Sequence, residues 1–146
     1  MKKKKHAVEA FVSRIKHFYD MGGIKVRVLW KEKALLCGQM CFGVYMPHGR
    51  DGNSERKEIW VAGDWPKKIV IALLAHEFAH AWRDINGFVK KWDESEEEKA
   101  EQKAKRMIEK YADSKQTRSR TARNGKASPP FRAFKAHWKQ KGCHMD

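Results

Sequence analysis

Apolar residues recur along the chain with two periods, and the switches between them predict its elements. From Ala7 to about Asp20, Val8, Phe11, Val12, Ile15 and Phe18/Tyr19 return every three to four residues, the spacing of one helical face. Gly22 and Gly23 follow as its stop. In "IKVRVLW" the period drops to two, with Ile24, Val26, Val28 and Trp30 alternating against polar neighbours, as in a strand with one buried face. "LLCGQMCFGVYM" and "KEIWVAG" are further strand candidates, separated by the polar, glycine-containing loop "PHGRDGNSER".

The helical period returns in "DWPKKIVIALLAHEFAHAWRDINGF". Asp64 is placed to cap this helix, Pro66 suits its first turn, and Gly87 lies past its end. Ile69 to Ala75 is almost wholly apolar, so the helix is expected at the centre of the fold. A last helix is predicted from about Ser95 to Tyr111, with Ser95 and Glu98 in capping-box spacing and an acidic first turn that favours the helix dipole. One helix, three short strands and two helices point to a small α+β fold with a three-stranded or larger sheet. The 146 residues suffice for one domain, expected over 7–112.

Charge changes the picture at the two ends. Of the formal net charge of +14, half falls after residue 112, where nine Lys or Arg face two Asp. "DSKQTRSRTARNGKAS" has alanine as its single apolar type and no period, so 113–128 reads as a flexible basic linker. In 129–146, Phe131, Phe134 and Trp138 are spaced like one helical face. This basic tail is a candidate contact for DNA or another nucleic acid through phosphate charge and aromatic stacking; solubility with docking on the core is the rival account. The basic "MKKKK" start lacks the apolar stretch of a signal peptide, and no segment approaches the roughly eighteen uninterrupted apolar residues of a membrane span. With three cysteines, an odd number, we expect a cytoplasmic protein with no membrane partner. Cys37 and Cys41 read as buried thiols of the sheet rather than half of a metal site.

The chemistry is concentrated in "LLAHEFAHAW". On a helix His76 and His80 share a face one turn apart, and both imidazoles can reach one Zn²⁺. Glu77 can lean over the open side of such a metal as a general base, which completes His76-Glu77-Phe78-Ala79-His80 as an HExxH motif. Chance can produce five such residues, and a buried histidine is often just a satisfied core group. Against that, two histidines and a glutamate are costly to bury in the most apolar helix without a purpose. A catalytic zinc takes three protein ligands and leaves one position for water, and no histidine follows His80 until His137. The third ligand is therefore sought among Asp93, Glu94, Glu96, Glu97, Glu98 and Glu101. Extending the face of Ala100, Ala104, Ile108 and Tyr111 backward reaches Glu97, the preferred ligand, with Glu94 as its competitor and Glu101 positioned to orient an imidazole.

"HEFAH" together with "EEKAEQKA", Glu97 to Ala104, resembles the glutamate-ligand zincin metallopeptidases (gluzincins), in particular the ImmA/IrrE-like peptidases. The resemblance covers roughly Phe11 to Tyr111. It implies a minimal zincin fold, with Glu97 as third zinc ligand, Glu77 as general base, Glu101 as a polar supporting residue, and "KEIWVAG" as the substrate-flanking edge strand. Lys103 and "RMIEKY" depart from that family's usual continuation, and no helix-turn-helix module is evident. The order of elements is also similar to SprT-like proteases, although the third histidine those enzymes use is absent.

The expected activity is zinc-dependent peptide-bond hydrolysis by a metal-activated water, with a protein or peptide as substrate, endopeptidase action preferred, and Glu77 as general base. The alternative is a noncatalytic, zinc-containing accessory protein that contacts nucleic acid through its basic tail. Tyr45, His48 and Tyr111 are candidates for stabilising the oxyanion, on chemistry alone.

Overall fold

The computed structural model describes residues 2–36, 40–49, 52 and 55–115. Helix α1 (Lys2–Phe18) is followed by strands β1 (Lys25–Leu29), β2 (Leu35–Leu36), β3 (Met40–Cys41), β4 (Gly43–Met46) and β5 (Glu58–Ala62), then by helices α2 (Lys67–Ile85) and α3 (Glu94–Lys115). The architecture is α+β, three helices with a small mixed three-stranded sheet of order β1-β5-β4 beside a two-stranded β2-β3 ladder. β5 pairs parallel with β1 and antiparallel with β4.

That order corrects one expectation. "KEIWVAG" supplies β5, which is the central strand and has both edges occupied; β4 and β1 form the edges. Strand order depends on pairing between distant segments, which local alternation does not encode. The run "LLCGQMCFGVYM" is divided among β2, β3 and β4 rather than forming one strand.

The core follows from the two periods. On the inner face of the sheet, Tyr45, Ile59 and Val61 meet Val70, Leu73, Leu74 and Phe78 of α2. Val8, Phe11 and Ile15 of α1 and Ala100, Ala104 and Met107 of α3 complete the same buried cluster. Full burial of each large apolar side chain contributes about 1.5–3 kcal/mol, and α2, in contact with the sheet and both other helices, supplies Val70, Leu73, Leu74 and Phe78 at the centre of the cluster. The small Ala100 and Ala104 let α3 approach α2 closely. On the opposite face Leu35, Cys41, Val44, Met46 and Ala62 form a second, smaller cluster.

The helix ends differ from expectation in informative ways. α1 begins at Lys2, so the lysine-rich start is helical; the Lys4 amine donates to the carbonyls of Gly63 and Trp65 at 3.2 and 3.0 Å. α1 is closed by Asp20 in the left-handed region (φ 55) and by a bond from the Met21 N–H to the Lys16 carbonyl, ahead of Gly22 and Gly23. At α2 the N-cap is Pro66, with no side-chain cap bond; the Asp64 carboxylate faces Lys33 at 3.9 Å instead. Gly87, at φ 78, lies beyond the end of α2 as expected. At α3 Asp93, not Ser95, caps the helix, its Oδ1 accepting the Glu96 N–H at 3.0 Å.

Cys41 is buried, but it is disulfide-bonded rather than a free thiol, which removes the argument from free thiols for a reducing compartment. Cys37 lies outside the described residues, as do 116–146 with most of the basic linker and all of 129–146. No helix among the described residues is long and apolar enough to cross a membrane.

Candidate metal centre

The i, i+4 spacing on α2 sets the His76 and His80 rings 4.7 Å apart, nearly perpendicular. Capping by Asp93 fixes the register of α3 so that Glu96 and Glu97, adjacent in sequence, are both buried. Glu97 reaches both histidines: its Oε1 lies 2.8 Å from His76 Nε2 and its Oε2 3.2 Å from His80 Nε2. One ligand atom from each of His76, His80 and Glu97 falls within 4.8 Å of the others, so the cluster can hold a metal ion.

Two imidazoles and a carboxylate are a donor set that divalent transition metals accept. The approaches to His80 are short without being hydrogen bonds. Among the described residues neither of its ring nitrogens has a hydrogen-bond partner, although Glu97 stands at 3.2 Å and Glu96 at 3.8 Å.

Protonation shows the same demand for positive charge. Burial lowers the pKa of His80, but the adjoining Glu96 and Glu97 carboxylates outweigh it and raise it to about 10. Burial opposes ionisation of Glu97, yet His76 and His80 hold its carboxyl well below the usual range. The two carboxylates thus favour the protonated form of His80. A divalent cation needs the neutral imidazole, so metal and proton compete for this site.

Glu77 sits beside this cluster with 0% exposure. Among the described residues neither of its carboxylate oxygens has a hydrogen-bond partner, a costly state for a buried polar group. Burial pushes its pKa up to about 8; His80 pulls it down, and Glu97 adds to the rise. Its carboxylate lies against β4 at Gly43, where a Cβ would come within 3.1 Å of Oε2. A glycine there lets the strand backbone approach the acid, a role that alternation along the strand does not reveal.

Several supporting residues escape motif reading. Arg83, on α2 nearly one turn after His80, donates from Nε and Nη2 to the two oxygens of Glu96 at 2.8 and 3.0 Å. This fork fixes Glu96 with its Oε2 facing His80 Nδ1, the nitrogen directed away from Glu97. Trp92 covers the His80 ring at 5.5 Å. Only the spacing of Arg83 from His80 and the placement of Glu96 next to Glu97 hint at these contacts in the sequence.

The remaining candidates separate by exposure. Glu94, Glu98 and Asp93 are exposed, and Asp93 serves as cap. Glu101 is buried one turn beyond Glu97, while the carboxylate facing His80 Nδ1 is that of Glu96. Among the oxyanion candidates, the Tyr45 hydroxyl donates to Asp84 Oδ2 at 2.7 Å, and burial followed by this bond raises its pKa. Tyr111 packs edge-on against Phe11, and His48 is exposed in the turn after β4. Comparison with protein-family models, curated proteins and solved structures gave no match to this chain.

Proposed function

We propose that the chain is a zinc-dependent peptidase in which His76, His80 and Glu97 hold the metal and Glu77 is the general base. The observation that carries this reading is Glu77 itself: a fully buried carboxyl without a hydrogen-bond partner, next to a cluster that can bind a cation. A structural role would pair those oxygens; a catalytic role leaves them available. A bound Zn²⁺ supplies Lewis acidity and lowers the pKa of water at its open position.

The residues divide the remaining work. Glu77, whose ionisation is favoured beside a divalent charge, accepts a proton from the attacking water and delivers it to the leaving amine. Glu97 and the two imidazoles neutralise and orient the cation. Arg83 holds Glu96 beside His80, which restricts the ring and favours its ligand tautomer. An extended peptide is suited to the edge of β4, whose outer side pairs with no strand among the described residues, and where Gly43 brings the backbone against Glu77. Backbone pairing would supply affinity with limited sequence preference.

The alternative, a noncatalytic zinc protein acting through nucleic acid, gives Glu77 no task. Glu77→Gln separates the two. The peptidase reading expects zinc content and fold to be retained while hydrolysis of an unfolded protein or peptide library is lost. Undiminished hydrolysis in the variant would remove Glu77 as the base.

A further inference from the structure

Around the β1 edge of the sheet runs a basic and aromatic groove that the metal centre does not use, lined by Trp60 and Leu35 of the outer cluster and by Trp30 and Val28, which pack against the main core. Alternation along β1 directs Val26 and Val28 toward the main core and leaves Leu29 with the outer cluster. The β1–β5 register sets Arg27 beside Trp60, its guanidinium 5.2 Å from the ring centroid. Trp30, just after β1, lies under the amines of Lys4 and Lys5 at 5.8 and 5.6 Å. The groove between them has a volume of about 610 Å³ and is lined by Lys5, Arg27, Trp30, Lys31, Leu35 and Trp60 among others, with Glu32 as its acidic member.

The position of α1 strengthens the charge of this groove. α1 opens with four lysines and no acid in its first turn, the reverse of what the helix dipole favours. These lysines are not a loose tail: Lys4 is tied to Gly63 and Trp65, and Lys5 lines the groove. The fold thus places like charges beside one another at a cost, around two indole rings that remain partly accessible.

We infer that this groove binds single-stranded nucleic acid, with bases stacking on Trp30 and Trp60 and phosphates taken by Lys5, Arg27 and Lys31. Charge complementarity selects a polyanion. The aromatic floor selects one that offers flat apolar faces, as unpaired bases do and duplex DNA does not. An acidic peptide would satisfy the cations and leave the indole faces unused. None of the groove's lining residues belongs to the metal centre, so the proposed strand and the metal use different residues. This inference does not depend on the peptidase reading.

The test uses the full chain and fluorescence polarisation of a labelled oligothymidylate of about twelve nucleotides, beside an abasic oligomer of equal length and a duplex. Stacking predicts that the abasic strand binds about tenfold more weakly or worse, and that the duplex competes poorly. Arg27 and Lys31 are exposed, so Arg27→Glu with Lys31→Glu is expected to keep the fold. It should weaken binding about tenfold or more and reduce the slope of log affinity against log salt by about 1.4. The matched charge reversal in the basic tail, Arg118→Glu with Arg120→Glu, should change affinity less than about threefold on this account. Equal affinity for the abasic strand, equal affinity for the duplex, a tail variant as damaging as the groove variant, or no binding would each overturn the inference.

Discussion

The two halves of α2 bury chemically opposite side chains. Val70, Leu73, Leu74 and Ala75 lie in the first half, and His76, Glu77, Phe78 and His80 in the second, all removed from solvent. The first half drives folding by withdrawing hydrocarbon from water. The second places three ionisable groups in the same interior, where desolvation opposes each charge. Burial alone therefore says little about purpose; what distinguishes the second half is how its polar atoms are satisfied. Glu96 is clamped by Arg83, Glu97 meets both histidines, and Glu77 is left without a hydrogen-bond partner.

Substitutions in each half should break this contrast in different ways. The largest effect is expected from Glu77→Gln, which should reduce hydrolysis about 10²–10⁴-fold with one zinc per chain retained by elemental analysis. Because it removes a buried carboxyl without a partner, it should not lower the stability of the metal-free protein. Leu74→Ala, in the apolar half, should cost about 2–5 kcal/mol in chemical denaturation, with zinc affinity unchanged. Loss of zinc from a folded Leu74→Ala protein would show that the two halves are not separable.

A smaller effect is expected from Glu96→Gln, which weakens the Arg83 fork and the carboxylate beside His80. Zinc affinity, measured by competition with a fluorescent chelator, should fall about 10–100-fold while the fold persists; unchanged affinity would make the fork a purely structural clamp. The mildest comparison is with pH. Glu77 has a folded pKa near 8, above its ordinary 4.5, so the folded state holds a proton that the unfolded state releases between those values. Its contribution is fully present below 4.5 and is lost as pH rises to 8. Thermal melting of the metal-free protein should show this decline, and Glu77→Gln should flatten it between pH 4.5 and 6.5, above which His80, raised from 6.5 to about 10, continues to lose its contribution.

The sequence made the contrast partly legible. The apolar run Ile69–Ala75 announces a buried helix, and the spacing of His76 and His80 requires only local helical geometry to bring them together. Glu97 is reachable because helical periodicity carries the face of Ala100 and Ala104 back by one turn. Glu96 is harder to place, since its role depends on the cap at Asp93 and on Arg83 approaching from another helix. The pairing of β5 between β1 and β4, and the close approach of Gly43 to Glu77, depend on contacts between distant segments. Likewise, the four lysines at the chain start fall outside the helix expected from Ala7, and only long-range contacts show α1 beginning at Lys2 with Lys4 bonded to two carbonyls beyond β5.

The central claim is that His76, His80 and Glu97 form one metal site. Its most direct test is zinc stoichiometry by elemental analysis after mild dialysis, for the unaltered protein beside His80→Ala and Glu97→Ala. The account predicts about one zinc per chain, lost from both variants while circular dichroism shows their helices retained. Zinc held equally by all three proteins, or failure of the unaltered folded protein to take up zinc on reconstitution, would contradict it.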